Sequence, residues 1–457
     1  MTTIVDELIT ALGADVVTRG NSVDKRYWCD WSAIDPARPR ALIRPRSTAD
    51  VSTALRLCHA AGQSVVPQGG LTGLAGGATP HASDIVVSLE RLIGIEEIDV
   101  AAATMTLRAG TILETAQRAA DESGFLLALD LGARGSCQIG GNLSTNAGGN
   151  RVIRYGMARE QVLGLEVVLA DGQIVTSLNK MLKNNAGYDI KQVFIGAEGT
   201  LGIITRATLR LHPKPRSRAT AFCALADYAA VVALLRRAQS ELGGISAFEV
   251  MWHDFYDFIA NHATTKQKPL PDRYPFYALI EQSGSDPAAD PARFETLLGE
   301  AMADGAILDA VVAQSEQAAR DFWLIREGHA IDTMPLVINF DVSLPIGGID
   351  AFATRCRAAL QARWRGSHNL FYGHICDSNL HISVMIAGEG PEVMHAVDAV
   401  VYDAVREMAG SVSAEHGVGT LKRAYLGYSR SAPELAVMRL LKKALDPKGI
   451  LNPGKLL

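Results

Sequence analysis

LGARGSCQIGGNLSTNAGGN, residues 131–150, places six glycines among Ser136, Asn142, Ser144, Thr145 and Asn146, with Arg134 its only charge. Glycine permits positive φ and lets backbone N–H groups converge on an anion, because no Cβ blocks the approach. A loop of small donors with so little charge suits a neutral cofactor edge joined to a pyrophosphate. Two further stretches share this character: PQGGLTGLAGGA (67–78), which follows the strand-like SVVP, and IGAEGTLGII (195–204). Fourteen of the 42 glycines fall in the three together, a concentration that argues for one cofactor cradle rather than three unrelated turns.

Two familiar nucleotide fingerprints are missing. No G-x-G-x-x-G follows a strand, so the dinucleotide fingerprint of a Rossmann unit is missing. Gly449-Ile-Leu-Asn-Pro-Gly454-Lys455-Leu456 comes near a phosphate loop. It lacks the Ser/Thr that would hold Mg²⁺ and has no helix to follow it. Neither fingerprint therefore names the nucleotide that the glycine loops would hold.

Working outward, ALIR (41–44), SVVP (64–67), DIVVSL (84–89) and LGLEVVLA (163–170) read as strands. ADVSTALRLCHAAG (49–62) reads as a helix ending at Gly62. After LHPKPRS (211–217) the glycine loops stop, and strands such as FYALIEQ (276–282) and LVINFDVSL (336–344) alternate with amphipathic helices. These changes predict three segments: 1–215 for the cofactor, 216–410 for the substrate and metal, and a helical 411–457 that returns to the first.

Composition narrows the function class. With 457 residues, 48% hydrophobic, 20% charged and a net charge of −5 without a basic block, the chain is a multidomain globular protein whose charge argues against nucleic acid as a partner. The six cysteines (Cys29, Cys58, Cys137, Cys223, Cys356 and Cys376) form no C-x-x-C pair, which excludes a disulfide framework and an all-cysteine zinc site. MTTIVDELITALG at the start has neither the order of a secretory signal nor the acid-poor look of a transit peptide. The expectation drawn from it is a bacterial-type cytoplasmic enzyme.

A second cluster carries chemistry. YGHICDSNLHISV (372–384) reads as strand–turn–strand, bringing His374 and His381 to neighbouring positions. SAEHGVG (413–419) sets Glu415 beside His416 at a glycine turn. Two histidines and a glutamate form a zinc set with a position left open for substrate. FWLIREGHA (322–330) offers Arg326, whose guanidinium suits a carboxylate. His329 beside it reads as an ordinary surface residue.

These stretches resemble the vanillyl-alcohol-oxidase/PCMH superfamily over most of the chain. The three glycine loops match its pyrophosphate loops, and LDLGARGSCQIGGN resembles most the D-2-hydroxyacid dehydrogenases, above all the D-2-hydroxyglutarate branch. The resemblance implies an α+β fold: a PCMH-type FAD-binding domain of two α+β subdomains, an α+β substrate (cap) domain with an antiparallel sheet, and a helical C-terminal segment. It implies FAD contacts from Pro67, Gly69, Gly70, Thr72, Gly73 and Leu74. In the second loop it implies Ser136, Cys137, Gly140, Gly141, Asn142, Thr145, Asn146, Gly148 and Gly149. The third loop and the C-terminus add Glu198, Gly199, Ile203 and Asn452. The first loop has no histidine for a covalent link, so the FAD is expected to be noncovalent.

The resemblance also implies a divalent metal on His374, His381 and Glu415, with zinc first and Mn²⁺, Fe²⁺ or Co²⁺ open. His416 would be the base and Arg326 the carboxylate-binding residue. Where the 2-hydroxyglutarate branch has a Thr, a Lys and an Asn in its pocket, this chain has Ala330, Asn339 and Ser383. Losing a cation there weakens recognition of a second carboxylate, so the expected substrate is a related D-2-hydroxy acid, with 2-hydroxyglutarate and D-lactate as candidates. Cys376 and Ser378 replace common glycines of the hairpin turn. The expected partners are an electron-transferring flavoprotein or a quinone-linked acceptor, and a second copy in a homodimer. An O₂-using flavin oxidase and a non-enzymatic flavin sensor are the competing readings.

Overall fold

The structure, a computed structural model, describes residues 3–262, 268–334 and 336–457, and the counts below are of those residues. The chain forms two compact units. One comprises Met1–Gly149, Tyr155–Lys214 and Glu415–Leu457, and the other Asn150–Arg154 and Pro215–Ala414.

The first unit holds two sheets that position its loops. In the four-stranded one, Val17–Arg19 pairs antiparallel with Ala41–Ile43, and Ile85–Ser88 lies parallel between Ala41–Ile43 and Val65–Gln68. Ile85–Ser88 is buried on both faces, as strands of a parallel sheet covered on both sides are, so it reads as an apolar run rather than an alternation. The crossover helix Thr48–Ala61 is started by Ser47 Oγ, which accepts from Asp50 N at 3.1 Å, and stopped by Gly62 at φ +65°. The second sheet is antiparallel, with Ile203–Arg210 between Thr104–Arg108 and Val162–Val168.

The first loop leaves the C-terminal end of Val65–Gln68. Two glycines explain how the three loops meet. A Cβ on Gly70 would lie 2.1 Å from the Ser136 carbonyl oxygen, so only glycine lets the first loop lie against the second. A Cβ on Gly199, which sits at φ +71°, would lie 2.4 Å from Pro67 Cγ, so the third loop touches the first on the same terms. Leu451 bridges to Val65, adding the C-terminal stretch to this assembly.

The second unit is built on a seven-stranded antiparallel sheet. Its order is Asp309–Val312, Ser217–Leu225, Phe276–Gly284, Ile245–Trp252, His368–Gly373, Asn379–Met385 and Ile338–Ser343. Two short stretches differ from the sequence-based segments. Residues 150–154 group with this unit, where Arg154 Nη1 donates to the carbonyls of Gly244 and Ser283. Residues 411–414 do so too, because Ser411 exchanges backbone hydrogen bonds with Ser343 and Ala414 N donates to Asp341. No described helix is long and apolar enough to cross a membrane.

Candidate active site

The three loops of the first unit line a cavity of about 420 Å³. All the residues expected to touch flavin lie on its wall except Ser136, Asn146, Gly149 and Asn452. Those four support the wall. Ser136 backs Gly70, Asn146 Oδ1 accepts from Arg159 N, and Gly149 N donates to Glu415 Oε1. Asn452 Nδ2 donates to the carbonyls of Gly77 and Glu198, at 2.9 and 2.8 Å. Glu415 and His416 also face this cavity.

The lining fits a flavin dinucleotide. The backbone N–H groups of Gly70, Thr72 and Gly73 meet no acceptor among the described residues, which leaves a row of donors suited to phosphate oxygens. Buried Gln68 Oε1 and Gln138 Oε1, both on this wall, have no donor among the described residues. Such acceptors require partners, and flavin and adenine carry N–H groups that would supply them. Neither glutamine was anticipated from the sequence, because glutamine carries no loop or motif signature.

Glu198, on the cavity wall, also braces the turn that follows His416. Its backbone is left-handed at φ +51°, and Val418 N and Gly419 N each donate to its carboxylate at 2.7 Å. Burial pushes its carboxyl above the ordinary range, against the pull of those two N–H groups and of Lys422.

In the second unit, His374 and His381 lie at the two sides of the turn Ile375–Asp377, with ring centroids 5.3 Å apart. Tyr372 pairs with His381 across the hairpin, and Ser378 takes the left-handed turn position at φ +72°. Arg326, in the last turn of Glu316–Glu327, is buried with its guanidinium over the Tyr372 ring. It is not a solvated helix arginine. Its Nε donates to Glu249 Oε2 at 2.6 Å, and its Nη2 lies 3.3 Å from His374 Nε2. His374 Nδ1 bonds Glu249 Oε1, also at 2.6 Å.

Glu249 is fully buried, and it was missed in the sequence. Burial alone would raise its carboxyl, but Arg326 and then His374 overcome that and hold it down at about 2. Its signal was present: one acid within ISAFEVMW (245–252), a strand whose every residue is buried. Register explains the contact, since Val250 opposes Gly373 and so sets Glu249 beside His374.

The remaining expected pocket residues are in the same unit. Asn339 and Ser383 oppose one another, and Ser383 Oγ donates to Asn339 Oδ1 at 2.7 Å. Ala330 packs against a core cluster that includes Phe255 and Tyr256. His329 is exposed beside Glu327.

The chain matches the model of an FAD binding domain over residues 39–177 and that of the FAD linked oxidases' C-terminal domain over residues 214–456. It is 39% identical over 431 residues to "D-2-hydroxyglutarate dehydrogenase, mitochondrial" of Arabidopsis thaliana, covering 94% of this chain and 77% of that one. To "D-2-hydroxyglutarate dehydrogenase" of Xanthomonas citri pv. viticola it is 38% identical, covering 94% and 92%. In fold it is similar to p-cresol methylhydroxylase, with a TM-score of 0.76 at 16% identity over 99% of this chain and 96% of that one. These likenesses give the PCMH-type α+β fold. They correct the expectation of a cytoplasmic enzyme. The Arabidopsis relative and several others are named as mitochondrial, and the residues at the N-terminus carry no positive evidence for the cytoplasm.

Proposed function

The chain belongs to the FAD-linked oxidase family and is an FAD-dependent hydroxyacid dehydrogenase, and from that premise we propose that it oxidises a D-2-hydroxy acid to the 2-oxo acid with the help of a divalent metal. The observation that carries this reading is the cluster of buried Arg326 and His374 with half-buried His381 on one helix end and one hairpin. It supplies a fixed cation for a substrate carboxylate beside two imidazoles.

The chemistry supplied by the two groups when bound is hydride acceptance at the flavin N5 and Lewis-acid polarisation of the substrate 2-hydroxyl. The chain's residues do the rest. The glycine loops and Asn452 hold the flavin noncovalently, since the first loop has no histidine. His374, His381 and Glu415 would hold the metal, whose N/O donor set suits zinc first. Arg326 binds the substrate carboxylate through the N–H groups that Glu249 leaves available. His416 takes the proton of the 2-hydroxyl.

Side-chain preference rests on Asn339 and Ser383, which satisfy one another and bring no cation. An unpaired second carboxylate there would be costly to desolvate, so D-lactate and other 2-hydroxy acids with neutral side chains rank above 2-hydroxyglutarate. As the family likeness implies, the electron acceptor is an electron-transferring flavoprotein or a quinone, and the enzyme is a homodimer.

The test is anaerobic bleaching of the flavin by D- and L-2-hydroxy acids, with metal measured in the same sample. Bleaching by D acids in a zinc-containing protein supports the reading. Full bleaching in protein stripped of metal removes the metal from it. A marked preference for 2-hydroxyglutarate over D-lactate overturns the ranking of substrates.

A further inference from the structure

We propose that Glu249 is a positioning residue that orients two functional arms with one carboxylate, holding Arg326 for the substrate and His374 for the metal; this rests on the roles given to those two residues above. The geometry is one oxygen to each arm. Oε2 accepts from Arg326 Nε and Oε1 from His374 Nδ1, both at 2.6 Å, and the side chain is shut off from solvent. No water competes for either oxygen, so both bonds act at the strength of a buried, charge-assisted contact.

The consequence for His374 is chemical. A carboxylate only accepts, so Nδ1 must carry a proton and the lone pair is fixed on Nε2. That is the tautomer in which Nε2 can serve as a ligand, and a carboxylate behind the ring is the usual support for such a histidine. The consequence for Arg326 is directional. Anchoring Nε fixes the plane of the guanidinium over Tyr372, with Nη2 3.3 Å from His374 Nε2 and Nη1 left to meet a carboxylate. The His374 arm follows from one strand register, Val250 opposite Gly373, while Arg326 meets the same carboxylate from the last turn of its helix.

An amide of the same shape separates these functions. Glu249→Gln has one accepting oxygen and one donating NH₂, and cannot accept from both arms. Either Arg326 Nε loses its acceptor, or His374 shifts its proton to Nε2 and loses the lone pair needed there.

The experiment uses the purified flavoprotein and Zn²⁺ as probe, with affinity read by competition against a chromogenic chelator and KM and kcat read on the best 2-hydroxy acid. Glu249→Gln is expected to weaken Zn²⁺ binding about 10- to 100-fold. It is also expected to raise KM about tenfold, while the flavin absorbance stays at the wild-type level. If Glu249→Gln alone does not fold, because it leaves the Arg326 charge buried without a counter-ion, Glu249→Gln/Arg326→Met removes both charges. Its Zn²⁺ affinity, compared with that of Arg326→Met, then answers the same question. A variant that binds Zn²⁺ within about twofold of wild type with KM unchanged overturns the proposal. A wild-type protein that binds no Zn²⁺, with KM unmoved by Arg326→Met, overturns the roles of His374 and Arg326 themselves, a result distinct from failure of Glu249 alone.

Discussion

The backbone N–H of Gly149 donates to Glu415 Oε1 at 2.9 Å, tying the second glycine loop to the residue that precedes the proposed base His416. A Cβ on the neighbouring Gly148 would come within 2.8 Å of that same oxygen. Gly148→Ala is therefore expected to displace the Glu415 carboxylate without removing a loop N–H group. Displacements of about 1 Å at a reacting centre cost up to about a hundredfold in rate. Turnover should fall about 10- to 100-fold while the purified protein keeps its flavin absorbance; unchanged turnover would free Glu415 of the role given to it.

His416 faces the cavity as the proposed proton acceptor. His416→Ala is expected to slow anaerobic flavin reduction by about 10²- to 10⁴-fold, the usual worth of a positioned base. Stopped-flow absorbance of the flavin measures this directly. Reduction at the wild-type rate would send the proton elsewhere.

Glu198 gives a pH prediction. Its carboxyl is raised above 4.5 in the folded protein, by burial first. A group raised on folding holds its proton more tightly in the native chain. Its contribution to stability is therefore full below about 4.5 and is lost as pH rises through the folded value. Glu198→Gln has no such proton, and its amide accepts from only one of the two N–H groups. The variant should melt below wild type in acid, with the gap narrowing as pH increases above 4.5. A gap in Tm that stays constant with pH contradicts this account.

Asn339 is exposed enough to accept a longer side chain, and it stands opposite Ser383. Asn339→Lys supplies the cation absent from this pocket. KM for D-2-hydroxyglutarate should drop about tenfold, as expected for one charge-assisted bond, with KM for D-lactate unchanged. Steady-state assays on both acids decide it, and equal shifts for the two would mean that Asn339 does not meet the distal group.

How much of this was legible in advance depends on the range of the interaction. The flavin loops could be read because a strand followed by clustered glycines is a local signature, and the helix 48–61 because Ser47 and Gly62 cap it within its own sequence. The hairpin bearing His374 and His381 was legible for the same reason, since Cys376, Asp377, Ser378 and Asn379 are turn residues between two short strands. Gln68 and Gln138 were not, because their unfilled acceptors appear only once the loops converge.

By itself, the sequence determined the α+β class, the flavin and the residue types of the site, all written in contiguous stretches where local backbone preference and chemistry coincide. The tertiary structure alone decided what Arg326 and His374 share. Glu249 lies 77 residues from one and 125 from the other, and reaches His374 through the pairing of two strands far apart in the chain and Arg326 through the helix Glu316–Glu327. Register is set by the packing of whole faces of the sheet, so no motif could announce that one buried carboxylate would hold both.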